Sequence, residues 1–454
     1  MQKLIYGNLE LNDKIYPFFL QERTIHIVQQ VFQFYEDFSS MSKIELLRGV
    51  TYDNRDILFL NCRFSTNPFF TTISVQGYII SKSNLGQSCD FIFDHLSFYS
   101  DALNTFYPIQ KAAKTQIGDK DSGPSGWDGR MTIEIKPFCE TDTTFQFRDA
   151  ECTFSIARFR DWKNDTSSIG DLNTSLMMSF PELKMPETVC QYYLNVLDFL
   201  SFVNYSKNIT FRKIILGRKH GGKHHEIAQA TIFTNAAAYD RDSNSSITIE
   251  DIPKDKFAVI FSRVATLREY DGRFSLYFPN SAEDSRYIDH SRWLMTALCF
   301  EGLFQYTYPE FKVQLNEDFR YVKNGILEAI DGYKKSADLS SRKRQKYFDD
   351  CQKHIERYEG VLEEKFNYVF KTYNIELSDI ISSIEKTLGI SDIRNWGSIY
   401  QAFRNKLAHG DIEPIGNNEI AIYRLLCPMI YILLLDSASL GKEELRQILK
   451  KLFS

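Results

Sequence analysis

The chain holds 454 residues, 43% hydrophobic and 25% charged, the balance of an ordinary globular protein rather than a disordered or fibrous one. At about 150 residues per domain, that length suggests two or three units. A formal net charge of −5 announces no nucleic-acid binder, so any contact with RNA or DNA has to come from local basic patches.

The N-terminus, MQKLIYGNLELNDKIYPFF, lacks the basic segment and apolar core of a signal peptide. From there to about residue 280, short apolar runs are separated by turn residues: TTISVQGYII, CDFIFDHLSFYS, MTIEIKPF, CTFSIARF, ITFRKIILG, QATIFT and FAVIFSRVA. Runs of this length, rich in Ile, Phe, Thr and Val and punctuated by Gly, Asn and Asp, predict strands. One helix interrupts them, PETVCQYYLNVLDFLSFV, introduced by Pro186 with Glu187 in its first turn.

Residues 1–280 are therefore expected to be β-rich, forming either one domain or two subdomains divided near 115–129. There TQIGDKDSGPSGWDG carries four glycines and a proline. The same loop contains neither GxxxxGK[ST] nor GxGxxG, so no nucleotide-binding loop is indicated. GRKHGGKHHE, residues 217–226, gathers His220, His224 and His225 among basic residues. It reads as a solvated loop between two strands, with phosphate or partner contact as the functional alternative. Metal binding there has no defined geometry without a partner carboxylate.

After about residue 285 the apolar spacing becomes helical. Helices are expected at 288–306, 317–335, 342–371, 378–387, 392–409, 418–437 and 442–453. Residues 281–454 thus predict an all-α bundle, and the chain as a whole an α+β protein without internal repeats. The longest apolar run, LLCPMIYILLL at 425–435, falls short of the ~20 residues of a membrane span and reads as a buried helix bent or restarted at Pro428. Eight cysteines without a CxxC pair suggest reduced thiols in the cytoplasm and no structural zinc site. No metal, cofactor or membrane is expected.

Two helices carry the chemistry. In the helix that precedes Gly410 and runs through SIYQAFRNKLAHGDIEP, residues Trp396, Ile399, Tyr400, Phe403 and Leu407 form an apolar stripe with Arg404 beside it and Asn405 pointing away. Five residues correspond to about 140° of helical rotation, so Arg404 and His409 share no face of a straight helix. Gly410 is a natural left-handed terminator, and ending the helix there is expected to free His409 to fold back toward the arginine. In YIDHSRWLMTALCFEGLFQ, the expected buried face holds Leu294, Ala297, Leu298 and Phe304. Glu301 falls on it, and a carboxylate so placed calls for a partner such as Arg404. GYKKSADLSSRKRQKYF adds Lys334, Lys335, Arg342, Lys343, Arg344 and Lys346 against one acid, Asp338. Such a cluster suits either an RNA backbone or plain solvation.

The segment RNKLAH resembles the Arg-x4-His signature of HEPN ribonucleases, including the Asn directly after the Arg, near the end of a helical bundle with an apolar helix following. The pairing with a long β-rich first region is similar to the ApeA family of bacterial anti-phage proteins, which join an N-terminal ApeA domain to a C-terminal HEPN domain. The resemblance spans the chain in layout, and RNKLAH and the Glu301 helix carry it at the residue level. It implies a metal-independent endoribonuclease of abortive infection that leaves 2′,3′-cyclic phosphate ends. Its β-rich half would sense or restrain the bundle, a phage-derived signal such as a phage protein would trigger it, and host RNA such as tRNA would be cut. His409 would move protons, Arg404 would stabilise the phosphorane, Asn405 would orient phosphate or imidazole, and Glu301 would hold Arg404. Lys406, Arg342, Lys343, Arg344 and Lys346 would contact RNA. One histidine cannot easily act as acid and base in one step, so a composite site in a homodimer or higher oligomer is implied. The alternative is a non-catalytic HEPN scaffold that dimerises or binds a nucleotide or RNA.

Overall fold

In a computed structural model the chain is described over residues 4–11, 14–27, 42–66, 71–82, 89–108, 113–117, 131–135, 143–159, 171–236, 239, 244–270, 274–311, 317–336, 341–357, 361–390 and 395–453. It divides into two units, one of residues 1–270 and 278–286 and the other of residues 271–277 and 287–454.

The first unit is built on period-2 patterning. In β2 (Lys14–Gln21), Tyr16, Phe18 and Leu20 are buried in alternation with exposed or half-buried neighbours, and β1 (Ile5–Leu11) and β3 (Thr24–Ile27) flank it antiparallel. β4 (Lys43–Thr51) pairs with β1 and with β5 (Asp56–Thr66), and β6 (Thr71–Ser74) pairs with both β3 and β5. The order β5-β4-β1-β2-β3-β6 therefore returns to β5, and six strands close into a ring. Leu9, Phe18, Ile25, Leu47, Phe59 and Ile73 fill its interior.

β5 also feeds an open sheet. Its first half pairs with β7 (Gly77–Ser81), its second half with β6, and the change falls at Asn61. Asn61 has φ +50, a left-handed residue within a strand. One such residue shifts the alternation, so that Ile57 and Phe59 before it and Cys62 after it all join the ring core. Gln76 on the facing segment fixes this point: its amide N–H reaches the Leu60 carbonyl at 3.0 Å, and its Oε1 accepts from Asn61 Nδ2.

From β7 the sheet continues through β15 (Lys223–Ile232), β14 (Phe211–His220), β8 (Phe93–Ser100), β13 (Asp171–Lys184) and β12 (Ala150–Phe159) to β11 (Thr143–Phe147). β9 (Ala113–Ile117) and β10 (Met131–Ile135) form a separate pair. Most of the glycine-rich stretch at 115–129 lies outside the described residues, and β8 and β13 on its two sides are hydrogen-bonded neighbours.

Three helices cover part of the sheet: α1 (Asp101–Phe106), α2 (Val189–Asn204) and α3 (Lys254–Tyr270). Phe106, Phe154, Phe199, Phe257 and Phe261 meet in an aromatic layer there, with ring centroids 4.6–6.1 Å apart where they touch. The expected strand FAVIFSRVA is thus corrected: residues 257–265 lie inside α3. Phe257, Ile260, Phe261, Val264 and Ala265 are buried at steps of three and four, a helical period that overrides the strand preference of Phe, Val and Ile.

The second unit is helical. After α4 (Phe274–Tyr277) come α5 (His290–Thr307), α6 (Glu317–Ser336), α7 (Arg342–Arg357), α8 (Val361–Thr372), α9 (Ser378–Leu388), α10 (Trp396–His409), α11 (Asn417–Asp436) and α12 (Lys442–Phe453). α11 is central and packs against α5, α9, α10 and α12. It runs through Pro428 as one helix, where a bend or a restart was expected, so the restart is ruled out. Residues Leu425 to Leu435 are all buried, and that packing offsets the hydrogen bond the proline cannot donate. α11 alone among the described helices is long and apolar enough to cross a membrane, but 78% of its apolar window is buried inside the protein.

Candidate active site

α10 enters the bundle through aromatic packing. Tyr400 is fully buried, stacked on Phe366 of α8 at 5.4 Å and edge-on to Phe300 of α5 at 5.9 Å. Phe403 meets Trp293 of α5 edge-on at 4.9 Å, and Trp293 Nε1 donates to the Glu419 carbonyl of α11 at 2.9 Å. Gly397 lets α8 come close, since a Cβ there would lie 2.5 Å from Asn367 Oδ1. These contacts fix the rotation of α10 and hence the direction of every polar residue on it.

Arg404 is aimed at Glu301. Its Nε donates to Oε1 at 2.8 Å and Nη2 to Oε2 at 3.0 Å, while Tyr400 Oη adds a third hydrogen bond to Oε1 at 3.2 Å. The paired side chains are 21% and 17% exposed, half-sunk rather than sealed. The bond from Glu301 raises the pKa of Arg404 above its ordinary value, and burial followed by the Glu301 charge holds the Tyr400 phenol neutral. Among the described residues nothing else hydrogen-bonds to the guanidinium, so its Nη1 edge is left for another acceptor.

Glu301 itself sits at the margin of the buried face. Trp293, Ala297, Phe300 and Phe304 form the centre of that face, whereas Leu294 and Leu298, expected inside, are half-buried. The aromatic side chains claim the core, rotating the helix so that Glu301 can reach Arg404.

The helix ends as the sequence indicates. Gly410 has φ +84, its N–H bonds to the Leu407 carbonyl and the Asp411 N–H to the Lys406 carbonyl. This is the double closure of a left-handed terminator. His409, however, stays in the last helical turn, exposed, and no contact joins it to Arg404 among the described residues. The expected fold-back is therefore corrected: Gly410 reverses the chain where expected, but His409 lies before it in the last helical turn, which already sets the direction of the imidazole. Asn405 is exposed, and Lys406 is paired with Glu413 at 2.7 Å, which raises its pKa. Arg342, Lys343, Arg344 and Lys346 are exposed on α7. Of these, Arg342, Lys343 and Lys346 line an open concavity with Lys353, Asp349 and Asp350. The two acids join that surface because Arg342, Lys346, Asp349, Asp350 and Lys353 follow one another at steps of three and four along the helix.

The histidine-rich segment is a hairpin and not a loop. Residues 217–220 belong to β14 and 223–226 to β15, with Gly221 and Gly222 at φ +57 and +79 making the turn. His220 and His225 are exposed, while His224 meets Asp94 and His95 of β8. Sequence reasoning found His224 but missed Asp94 and His95, 130 and 129 residues earlier in the chain and joined to it only by sheet pairing.

No protein-family model, curated protein or solved structure matches the chain.

Proposed function

We infer that the chain is a metal-independent endoribonuclease whose site is built on α10, of the HEPN type that RNKLAH resembles, serving ApeA-like anti-phage defence in the cytoplasm. The observation that carries this reading is the partly exposed Arg404, clamped through Nε and Nη2 by Glu301 with its Nη1 edge unused among the described residues. A guanidinium oriented in advance on one edge and open on the other suits a phosphorane whose charge develops in the transition state. His409 at the same helix end supplies a solvent-facing imidazole for proton transfer. Arg404 and His409 do not meet within one chain, which favours a composite site in which a second copy brings its own α10 alongside. The exposed cations of α7 suit a phosphate backbone, and the β-rich unit suits a sensor that holds the bundle quiet until a phage-derived signal arrives. Host tRNA is the substrate class this role calls for.

The second reading, a non-catalytic HEPN scaffold, is favoured by the same ion pair: a bidentate arginine is already half-satisfied and can simply lock α10 to α5. Full-length chain, its Arg404→Ala and His409→Ala variants and the double variant, each purified from phage-infected cells and incubated with tRNA in EDTA, separate the two. Cleavage leaving 2′,3′-cyclic phosphate, lost in each variant, supports the nuclease. Cleavage persisting in the double variant, or requiring added divalent metal, overturns it, and an intact dimer without cleavage under triggering conditions supports the scaffold.

A further inference from the structure

The first unit carries a cluster that the ribonuclease reading does not use. On β8, Asp94 Oδ1 lies 2.8 Å from His95 Nδ1, and that same nitrogen lies 3.1 Å from His224 Nδ1 on β15. β14 runs between these two strands. The His95 ring crosses it at Gly217, where a Cβ would stand 1.8 Å from His95 Nε2, so only glycine admits the crossing. His95 is 4% exposed, and the ring of His224 stands edge-on to it at 4.3 Å. Asp94 is held in place by the Lys219 N–H, at 2.8 and 3.1 Å from its two oxygens, and Arg218 is tied back to Asp90 and the Ile92 carbonyl.

Hydrogen bonding alone serves this arrangement poorly. Nδ1 of His95 carries at most one proton, which must be shared between a carboxylate oxygen and a second imidazole nitrogen; without that proton, it faces the carboxylate lone pair to lone pair. A cation accepts all three lone pairs at once. With metal–ligand bonds of about 2.0–2.1 Å, separations of 3.1 and 2.8 Å subtend roughly 100° and roughly 90° at a common ion, inside the range of first-row transition metals. The three ligand atoms lie within 4.8 Å of one another, and the exposed His224 side leaves a position open to solvent.

We propose that Asp94, His95 and His224 bind one divalent transition-metal ion of the zinc type, clipping the tip of the β14–β15 hairpin to β8. The imidazoles and carboxylate suit zinc and its first-row neighbours, and three protein ligands are too few for a calcium site. This proposal stands whether or not the helical unit cleaves RNA.

The test is zinc titration of the EDTA-stripped, dialysed full-length chain by calorimetry, with cobalt(II) absorption as a second readout, all in a Cys351→Ser background that removes an exposed thiol. The expected result is one saturable equivalent of zinc and a cobalt spectrum with nitrogen ligands. His224→Ala and Asp94→Asn, both at solvent-reachable positions, should each weaken binding at least about 100-fold, while His225→Ala and His220→Ala leave it unchanged. Absence of saturable binding overturns the proposal, as does binding that survives in His224→Ala and Asp94→Asn or that depends instead on His220 or His225. Circular dichroism of each variant confirms that a loss of binding occurs in a folded chain.

Discussion

Glu301 grips Arg404 through two hydrogen bonds although the residues lie 103 positions apart in sequence, and the buried Tyr400 hydroxyl holds the same carboxylate from below. The carboxylate therefore sets the arginine's position, and the first prediction follows from that. Glu301→Gln keeps one hydrogen bond and loses the charge, with a loss of stability near 1 kcal/mol, and under the proposed ribonuclease reading RNA cleavage should fall at least about tenfold. Glu301→Ala leaves Tyr400 and Arg404 with unmet donors and should cost about 1–3 kcal/mol by urea denaturation. Wild-type cleavage by the glutamine variant would remove Glu301 from the site.

The terminator of α10 gives a second. Gly410 sits at φ +84, where any side chain is strained, so Gly410→Ala should destabilise the chain by about 1 kcal/mol in chemical denaturation. Gly410→Asn, which tolerates the left-handed region better, should cost less. Equal midpoints for alanine and glycine would mean that the helix end re-forms elsewhere.

A third concerns thiols. Burial pushes the Cys62 thiol up to about 12 and that of Cys190 up to about 11, while Cys351 is exposed. Brief iodoacetamide treatment at pH 8 followed by peptide mass mapping should find Cys351 modified and Cys62, Cys152, Cys190, Cys299 and Cys427 protected until denaturant is added. Early labelling of Cys62 would show that the ring core opens readily.

A fourth tests where the helical unit begins. Tyr277 is 1% exposed, donates to the Cys427 carbonyl at 3.0 Å and lies 6.5 Å from the Tyr431 ring, so α4 belongs to the bundle although residues 278–286 do not. A segment starting at residue 271 should therefore melt higher than one starting at 281 or 287, by an amount equivalent to about 3–5 kcal/mol for the lost aromatic. The better-folded segment is also the one in which to ask whether the bundle, freed of the β-rich unit, is toxic without infection. Matching melting curves would place Tyr277 outside the bundle core.

Much of the bundle was legible because its evidence is local. The spacing of apolar residues places a helix at 418–437, and α11 covers 417–436; a carboxylate on the apolar side of α5 asks for a cation, and Arg404 meets it. What resisted reading depends on distant partners. FAVIFSRVA has strand-forming residues, and the Phe106, Phe145, Phe147, Phe154 and Phe199 side chains packed against it show why a helix is the better way to bury them. Closure of the ring depends on β6 meeting β3 and β5 together, and the Asp94, His95 and His224 cluster on a ring crossing over Gly217; neither leaves a local period in the chain. The direction of His409 follows from its place inside the last turn of α10, so the Gly410 reversal, although read correctly from the sequence, comes after it and does not redirect it.

β5 belongs both to the closed ring and to the open sheet, and this limits how the chain can be dissected. A fragment ending at residue 82 would retain all six ring strands in one continuous piece, yet it would strip β15 from residues 77–81 of β7. The exposed row of amide and carbonyl groups, flanked by Tyr78 and Ile80 on one side and Ile79 on the other, is a template for strands of other chains. Such a fragment should self-associate through that edge, and adding a peptide spanning residues 223–232 should compete with its assembly.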